Sequence, residues 1–413
     1  MKALSDACDN PSPLAAQLAV PTSDPNPYRR LATIYFAFFA FVGVFAPYFG
    51  LYLQAIGQTA WQIGVLLSLM QAMRIVAPYL WAMLADRHGW RRRLLAAASA
   101  GAALVFCGTF VATSFAGLAI VLIAFGFFTS ATMPLVESIT LAGLRERFER
   151  YGGVRVWGSI GFIAAVLGGG WLLDRVAIEN VLWMILAPLV VVFALALTLR
   201  DMPVGSKPER ERIWPHLARP EVVALLAANI LMNAAHGPLY AFYSIYLADA
   251  GYSNTAIGAL WTLSVVAEIV VFLAAPVWAK RYAAQDVLFV SFAAAVFRFA
   301  VIGWGVNSPA LLLLAQLTHA ATFGACHMAS LALVNRWFSG ARQVRGQALY
   351  LSLSFGVGGF LGVVASGAAW GTIGPAWTFT GASAAAAAGL FVLAHQARRL
   401  RRANSLSADA TVQ

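Results

Sequence analysis

Eight ionisable side chains sit inside stretches of sequence that are otherwise almost wholly apolar. They are the acids Glu137 and Glu268, the arginines Arg74, Arg155 and Arg298, and the histidines His236, His319 and His327. At the centre of a bilayer such a group costs about 2.5–3.5 kcal/mol on insertion scales, so it is retained where it has a partner or lines a polar path. A carboxylate beside an arginine and an imidazole can carry a proton, because burial favours the neutral acid, a nearby cation favours the ionised one, and a small movement tips the balance. An arginine without an acid of its own can hold an anion. The plainer role for the same residues is static pairing that fixes helix packing.

Those residues need long apolar elements to hold them, and the composition supplies these. The chain has 413 residues, 61% hydrophobic and only 11% charged, against roughly a quarter charged in an average soluble domain; its mean hydropathy is +0.74. A soluble globule of this size, a disordered chain and a collagen are excluded. Three cysteines (Cys8, Cys107 and Cys326) are too few for a secreted disulfide scaffold. The expectation is an all-α polytopic membrane protein with twelve spans: 30–54, 61–83, 94–113, 117–140, 153–174, 179–199, 221–248, 255–279, 287–305, 309–333, 345–370 and 373–396.

The net charge of +11 has the size of a nucleic-acid footprint but not its placement. Twenty-four of the 28 Lys and Arg fall in the two tails and in every second loop, and the other loops carry one, Arg175. That alternation is topogenic and predicts both termini in the cytoplasm. No nucleic-acid partner is expected. No metal site is expected either, since no group has ligand spacing, and no nucleophile–base arrangement points to an enzyme.

The longest interior loop divides the chain into a tail (1–28), a six-helix bundle (29–200), a central loop (201–220), a second six-helix bundle (221–397) and a tail (398–413). The first tail, spotted with Pro11, Pro13, Pro21, Pro25 and Pro27, is predicted to be disordered. The halves echo one another: Ala77-Pro78-Tyr79-Leu80-Trp81-Ala82 ends the second span and Ala275-Pro276-Val277-Trp278-Ala279 the eighth. A pseudo-two-fold pair of bundles with a site between them near mid-depth follows. At 1.5 Å of rise per residue, Glu268, Arg298 and His319 all reach about the middle of their spans and can meet. Glu137 and Arg155 lie at similar depth on consecutive spans and are read as a second pair. Glycines recur in the fifth span (Gly158, Gly161, Gly168, Gly169, Gly170) and the eleventh (Gly356, Gly358, Gly359, Gly362), marking close-packed seams for rocking. Tyr35, Tyr48, Tyr240, Tyr243 and Phe162 are candidate cavity aromatics, and His236 with Tyr240 one turn on is a candidate site pair.

Three resemblances sharpen this reading. Leu84-Ala85-Asp86-Arg87-His88-Gly89-Trp90-Arg91-Arg92-Arg93-Leu94 resembles the loop signature of the major facilitator superfamily, with Ala82 for its first Gly and Trp90 for an Arg. The resemblance implies a conformational gate at Asp86, Arg87 and Arg91. Pro134-Leu135-Val136-Glu137, followed by Arg155-Val156-Trp157-Gly158-Ser159-Ile160-Gly161-Phe162, is similar to lactose-permease-type oligosaccharide–proton symporters. There the Glu and Arg bind sugar and a Trp stacks on it; Phe162 stands at that Trp position. Arg298 and His319 match that family's arginine and histidine, but Thr322 replaces its coupling acid and Gln316 its lysine.

The strings Tyr48-Phe49-Gly50-Leu51-Tyr52-Leu53, His236-Gly237-Pro238-Leu239-Tyr240, Leu260-Trp261-Thr262-Leu263-Ser264-Val265-Val266-Ala267-Glu268 and Gln316-Leu317-Thr318-His319-Ala320-Ala321-Thr322-Phe323-Gly324 resemble the phenylpropionate-permease branch. Together these imply a proton-coupled symporter in a bacterial inner membrane. It would act as a monomer without cofactor, driven by the proton gradient, and would import a small aromatic carboxylate by alternating access. Sugar or nucleoside symport and small-molecule export remain the alternatives. The expected substrate-binding residues are Arg74, Glu137, Arg155, Phe162, His236 and Tyr240, and the expected proton-coupling residues Glu268, Arg298 and His319.

Overall fold

The structure, a computed structural model, describes residues 27–144, 151–199 and 214–410. Among the described residues, twelve helices are long and apolar enough to cross a bilayer: α1 Tyr28–Ala55, α2 Ala60–His88, α3 Arg91–Phe110, α4 Phe115–Leu144, α5 Tyr151–Leu173, α6 Ile178–Thr198, α7 Pro220–Asp249, α8 Asn254–Arg281, α9 Ala284–Trp304, α10 Pro309–Trp337, α11 Gln343–Ile373 and α12 Pro375–Leu400. Each matches a predicted run within a few residues. Most of the first tail and of the central loop lies outside the described residues. The last helix does not stop at the membrane-length limit but winds on to Ala410, where a tail was expected.

Local chemistry explains where the helices begin and end. Thr59 and Gln62 form a reciprocal capping box at the start of α2, and Ser253 accepts from the Ala256 N–H at the start of α8. Before each cap the chain turns through a glycine with positive φ, Gly57 at 85° and Gly251 at 89°, a region open to glycine at little cost. These are one element used twice. Leu53, Gly57, Thr59 and Gly64 recur as Leu247, Gly251, Ser253 and Gly258, each pair 194 residues apart (247 minus 53).

Helices α1–α6 pack among themselves, as do α7–α12, and the groups meet mainly where α1 lies on α7, α2 on α11 and α5 on α8, with slighter contacts of α2 with α7 and α1 with α8. The α2–α11 and α5–α8 pairs are copies related by exchange of the halves. In one, a Cβ on Gly64 would fall 2.6 Å from the Gly367 Cα and 3.1 Å from the Val363 carbonyl. In the other, a Cβ on Gly258 would fall 2.8 Å from the Val166 carbonyl, and one on Gly170 would strike the Asn254 carbonyl. Val166 and Gly170 stand to Val363 and Gly367 at one offset of 197 (363 minus 166). Of the predicted glycines, Gly170 in α5 and Gly356 and Gly359 in α11 face the opposite bundle, whereas Gly158, Gly161 and Gly169 press on α1 or α6 and Gly358 and Gly362 on α7, inside their own bundles.

The Gly64 and Gly258 approaches lie toward one end, here called the arginine-poor end for its loops. There Gln54 donates to Asp249 at 3.2 Å from α1 to α7, and Asp174, just past α5, accepts from the backbone N–H groups of Asn254 (2.7 Å) and Thr255 (3.0 Å) and from the Thr255 hydroxyl. The carboxylate thus serves two of the orphan donors of α8 across the gap. Past the contact of Ile75 with Gly356, no hydrogen bond or ion pair between two described residues joins the bundles at the arginine-rich end. The molecule is closed at the arginine-poor end.

Candidate functional site

Arg298 of α9 is wholly buried. Its Nε donates to the Ala315 carbonyl (3.0 Å), Nη1 to His319 Nδ1 (2.9 Å) and Thr322 Oγ1 (3.2 Å), and Nη2 to Gln316 Oε1 (3.1 Å). Gln316 in turn donates to the Tyr243 hydroxyl at 2.6 Å. Among the described residues no carboxylate lies within ion-pair reach of this guanidinium, so neutral acceptors from about two turns of α10 hold the buried cation. That arrangement fixes a tautomer. Arginine only donates, so His319 Nδ1 is an acceptor, and the neutral ring carries its hydrogen on Nε2. Nε2 faces Glu268 Oε2 of α8 at 3.8 Å, within ion-pair range but beyond a hydrogen bond. Gly324 makes the approach feasible, since a Cβ there would lie 2.9 Å from Glu268 Cγ. Glu268 is 16% exposed and His319 7%, so the acid fronts the imidazole and the arginine backs it.

Across the gap, Arg155 of α5 lies over the rings of Phe39 (4.6 Å) and Tyr35 (5.8 Å) and is the cation whose field reaches both Glu137 and Glu268. Arg74 of α2 is exposed at mid-helix, and Tyr240 of the opposite bundle is close enough to interact with it electrostatically. It therefore points into the space between the bundles, and with the arginine-poor end closed that space opens toward the arginine-rich end. Tyr240 stacks on His236 at 5.9 Å and on Trp261 at 6.3 Å, giving that space an aromatic wall.

Comparison with known proteins identifies the frame around this site. Residues 28–381 match the family model described as MFS_1 like family. The chain belongs to the MFS_1-like family of the major facilitator superfamily. It is 32% identical over 339 residues to the probable 3-phenylpropionic acid transporter of Escherichia coli K12, covering 79% of this chain and 87% of that one. It is 23% identical to the nucleoside permease NupG of the same organism, covering 74% and 78%. A solved structure of the nucleoside transporter NupG superposes with a TM-score of 0.78 at 18% identity, over 90% of this chain and 98% of that one. A bacterial homologue of the lysosomal transporter Spinster, solved inward-facing, superposes with a TM-score of 0.65 at 17% identity, over 89% and 95%. The chain is accordingly a multi-pass membrane transporter and not an enzyme.

Within this major facilitator frame several expected residues fall together and others do not. Arg298 and His319 meet as expected. Arg298 does not touch Glu268; His319 stands between them. The expected Glu137–Arg155 ion pair does not form among the described residues, because equal depth does not fix which way a helix is turned, and Arg155 is turned onto the α1 aromatics. Phe162 is half-buried against the apolar core and makes no ring contact with the other candidates. Tyr35, Tyr48 and Tyr243 are fully buried and do not line the open space. His236 is also buried, behind Tyr240.

Asp86 and Arg87 are exposed and Arg91 half-exposed at the arginine-rich end of α2 and the start of α3. None of the three is in an ion pair between described residues. Their neighbour Arg92 instead donates to the Leu197 carbonyl (3.2 Å) at the end of α6. Two contributors went unforeseen. Asn254 and Asp174 tie α5 to α8, and the signal available for them was an acid directly after one span, facing the first residues of another. Asp174 is also the one titratable group of this latch outside the spans. Desolvation pushes its carboxyl up, but the combined hydrogen bonds from Thr255 and Asn254 outweigh that and hold it below the ordinary carboxylate range.

Proposed function

We propose that this transporter is a proton-coupled symporter that imports a small aromatic carboxylate. The arginine-rich end would face the cytoplasm of a bacterial inner membrane and a single chain would be the working unit. The observation that carries the coupling half is the stack Glu268–His319–Arg298. An acid opens partly to the central space, while the imidazole behind it is locked into the tautomer that presents N–H to the carboxylate. Protonated Glu268 loses its attraction for that N–H and for the field of Arg155 on the other bundle; ionised Glu268 feels both. The protonation state therefore changes how strongly the bundles attract each other, which is what coupling requires. Replacing the coupling acid of the lactose-permease type by Thr322 leaves Glu268 as the acid that faces this histidine.

Three arginines (Arg74, Arg155, Arg298) against two acids (Glu137, Glu268) leave one positive charge over within the spans, and the exposed Arg74 facing Tyr240 is where an anion with a ring would lodge. The similarity to the probable 3-phenylpropionic acid transporter supports the same substrate class. The test is uptake into proteoliposomes across phenylpropionates, cinnamates, nucleosides and disaccharides, with and without an imposed pH gradient. Glu268→Gln should abolish pH-driven accumulation while sparing exchange, and Arg74→Ala should weaken aromatic-acid uptake at least tenfold. Accumulation by Glu268→Gln would sink the coupling assignment, and unchanged affinity and rate in Arg74→Ala would sink the anion site.

A further inference from the structure

Three helices of the second bundle lose regular winding beside one pocket. α7 breaks at His236, between Pro220–Ala235 and Gly237–Asp249. α10 opens into π-helical winding at Ala320–Ala325, and α11 does so at Ser352–Gly358. π-helical turns are rare and gather at functional sites. The pocket they border includes Asn233, His236, Thr322, His327 and Tyr350 in its wall. Its wall is made entirely by helices of the second bundle.

His236 supplies an independent pointer. Its Nδ1 is 2.8 Å from the Met232 carbonyl, which can only accept, so Nδ1 bears the hydrogen. Nε2 is then a bare lone pair, buried and without a partner in the protein. The titratable and charged groups that face it are Arg298 from α9, His319 from α10 with ring centroids 6.2 Å apart, and Tyr240 from its own helix. On the far wall His327 Nδ1 lies 3.1 Å from the Tyr350 hydroxyl. One turn nearer the arginine-rich end, Gln347 donates to Asn335 at 2.7 Å. Polar groups thus recur along the second bundle from the neighbourhood of the coupling acid toward the arginine-rich face.

We propose that this pocket is a hydrated proton-transfer chamber through which the proton carried by Glu268 leaves toward the arginine-rich side inside the second bundle. The inference rests on the coupling reading above. A substrate seated at Arg74 and Tyr240 covers the partly exposed face of Glu268, and the pocket is then the remaining way out. His319 does not relay, since Arg298 occupies its Nδ1. The proton leaves the Glu268 carboxyl, which becomes carboxylate, and passes to pocket water that donates a hydrogen bond to His236 Nε2, which stays neutral. It then passes through that water past His327 and Tyr350. One proton has moved and nothing else is consumed.

The experiment compares pH-driven accumulation with substrate exchange at equal pH, using whichever member of the aromatic-acid and nucleoside panel the unsubstituted protein exchanges. Tyr350→Phe and His327→Gln should leave exchange within about twofold while slowing pH-driven accumulation at least fivefold. The slowed step should also show a larger solvent deuterium isotope effect. Wild-type accumulation in both variants and in their double variant overturns the chamber, and so does an equal fall in exchange and accumulation, which marks a packing role only. Exchange without accumulation in the unsubstituted protein removes the coupling reading first, and the chamber with it.

Discussion

Two of the seams that join the bundles, copies of one another, have the same backbone and different chemistry. At α2–α11, Gly64 meets Gly367 and Gln71 lies against Gly359, but no hydrogen bond between described residues crosses. At α5–α8, the Tyr48 hydroxyl donates to the Val166 carbonyl (2.7 Å) and lies 3.3 Å from that of Asn254, while Asp174 takes the N-terminal donors of α8. The exchange of halves explains what is missing on the bare side: Phe242 stands where Tyr48 does, and Gly371 where Asp174 does. Close backbone approach is thus common property of the duplicated frame, and the polar latch was added to one copy. One seam can slide at little cost while the other must break named hydrogen bonds when the arginine-poor end opens.

The largest effect should come from what the seams share. A side chain at Gly64 or Gly258 meets backbone or buried neighbours on the opposite helix, and backbone cannot rotate away. Gly64→Leu and Gly258→Leu should each prevent closure of the arginine-poor end and lower transport about tenfold or more, consistent with an overpacking cost of about 1–3 kcal/mol. Nitroxides on Thr113 and Asn307, one on each bundle at that end, should report a longer distance by electron–electron resonance in both variants. A large effect at one glycine and none at the other would break the claim that the seams are copies.

The amount of this that was legible in the sequence follows from what a sequence encodes. Twelve spans could be read because length and apolarity suffice to define them. Depth could be read because helical rise is fixed, which is why Arg298 and His319 were expected to meet and do. Rotation about the helix axis was not legible. Glu137 and Arg155 share a depth but not a facing direction, and Tyr243 looked like a cavity residue until Gln316 proved to hold it inside the bundle. The Ala-Pro-x-Trp echo was a weaker sign of duplication than Leu53, Gly57, Thr59 and Gly64 with their repeats. The Asp174 latch joins residues far apart in the chain, and an acid directly after one span does not by itself say which helix start it will meet. Of the candidate site, Glu268, Arg298 and His319 come together as one constellation, whereas Phe162 stands apart from it.

The latch itself should answer to acid. The Asp174 carboxyl is held below the ordinary range by its hydrogen bonds in the closed state, so it binds a proton more weakly there than when the end is open and it faces water. Its contribution to closure is complete above about pH 4, the ordinary aspartate value, and is lost as pH falls through the lowered value. Acidifying the arginine-poor side should therefore lengthen the Thr113–Asn307 distance in the unsubstituted protein. Asp174→Asn should already favour the open end about two- to fivefold at neutral pH, the range for a solvent-screened charge at a helix terminus, and should lose this acid response. The bare seam has no titratable counterpart, since Gly371 holds that place, so an acid response of equal size in Asp174→Asn would assign the effect elsewhere.

The smallest expected effect is the most specific to the comparison. Tyr48→Phe removes one hydroxyl and gives the latch the residue that the other seam already carries at Phe242. A hydrogen bond contributes about 0.5–1.5 kcal/mol net. The value here should lie at the low end, because the Val166 carbonyl sits in a continuous helix and keeps its helical acceptor role when the hydroxyl goes. The closed-to-open ratio should fall about twofold. Asn254 links this hydroxyl to Asp174, since its carbonyl faces Tyr48 and its N–H donates to the carboxylate. In a double-mutant cycle Tyr48→Phe should therefore cost less in the Asp174→Asn background than alone. Strict additivity would mean that the two contacts act on α8 separately, and the polar side would then be two independent ties instead of one latch built around Asn254.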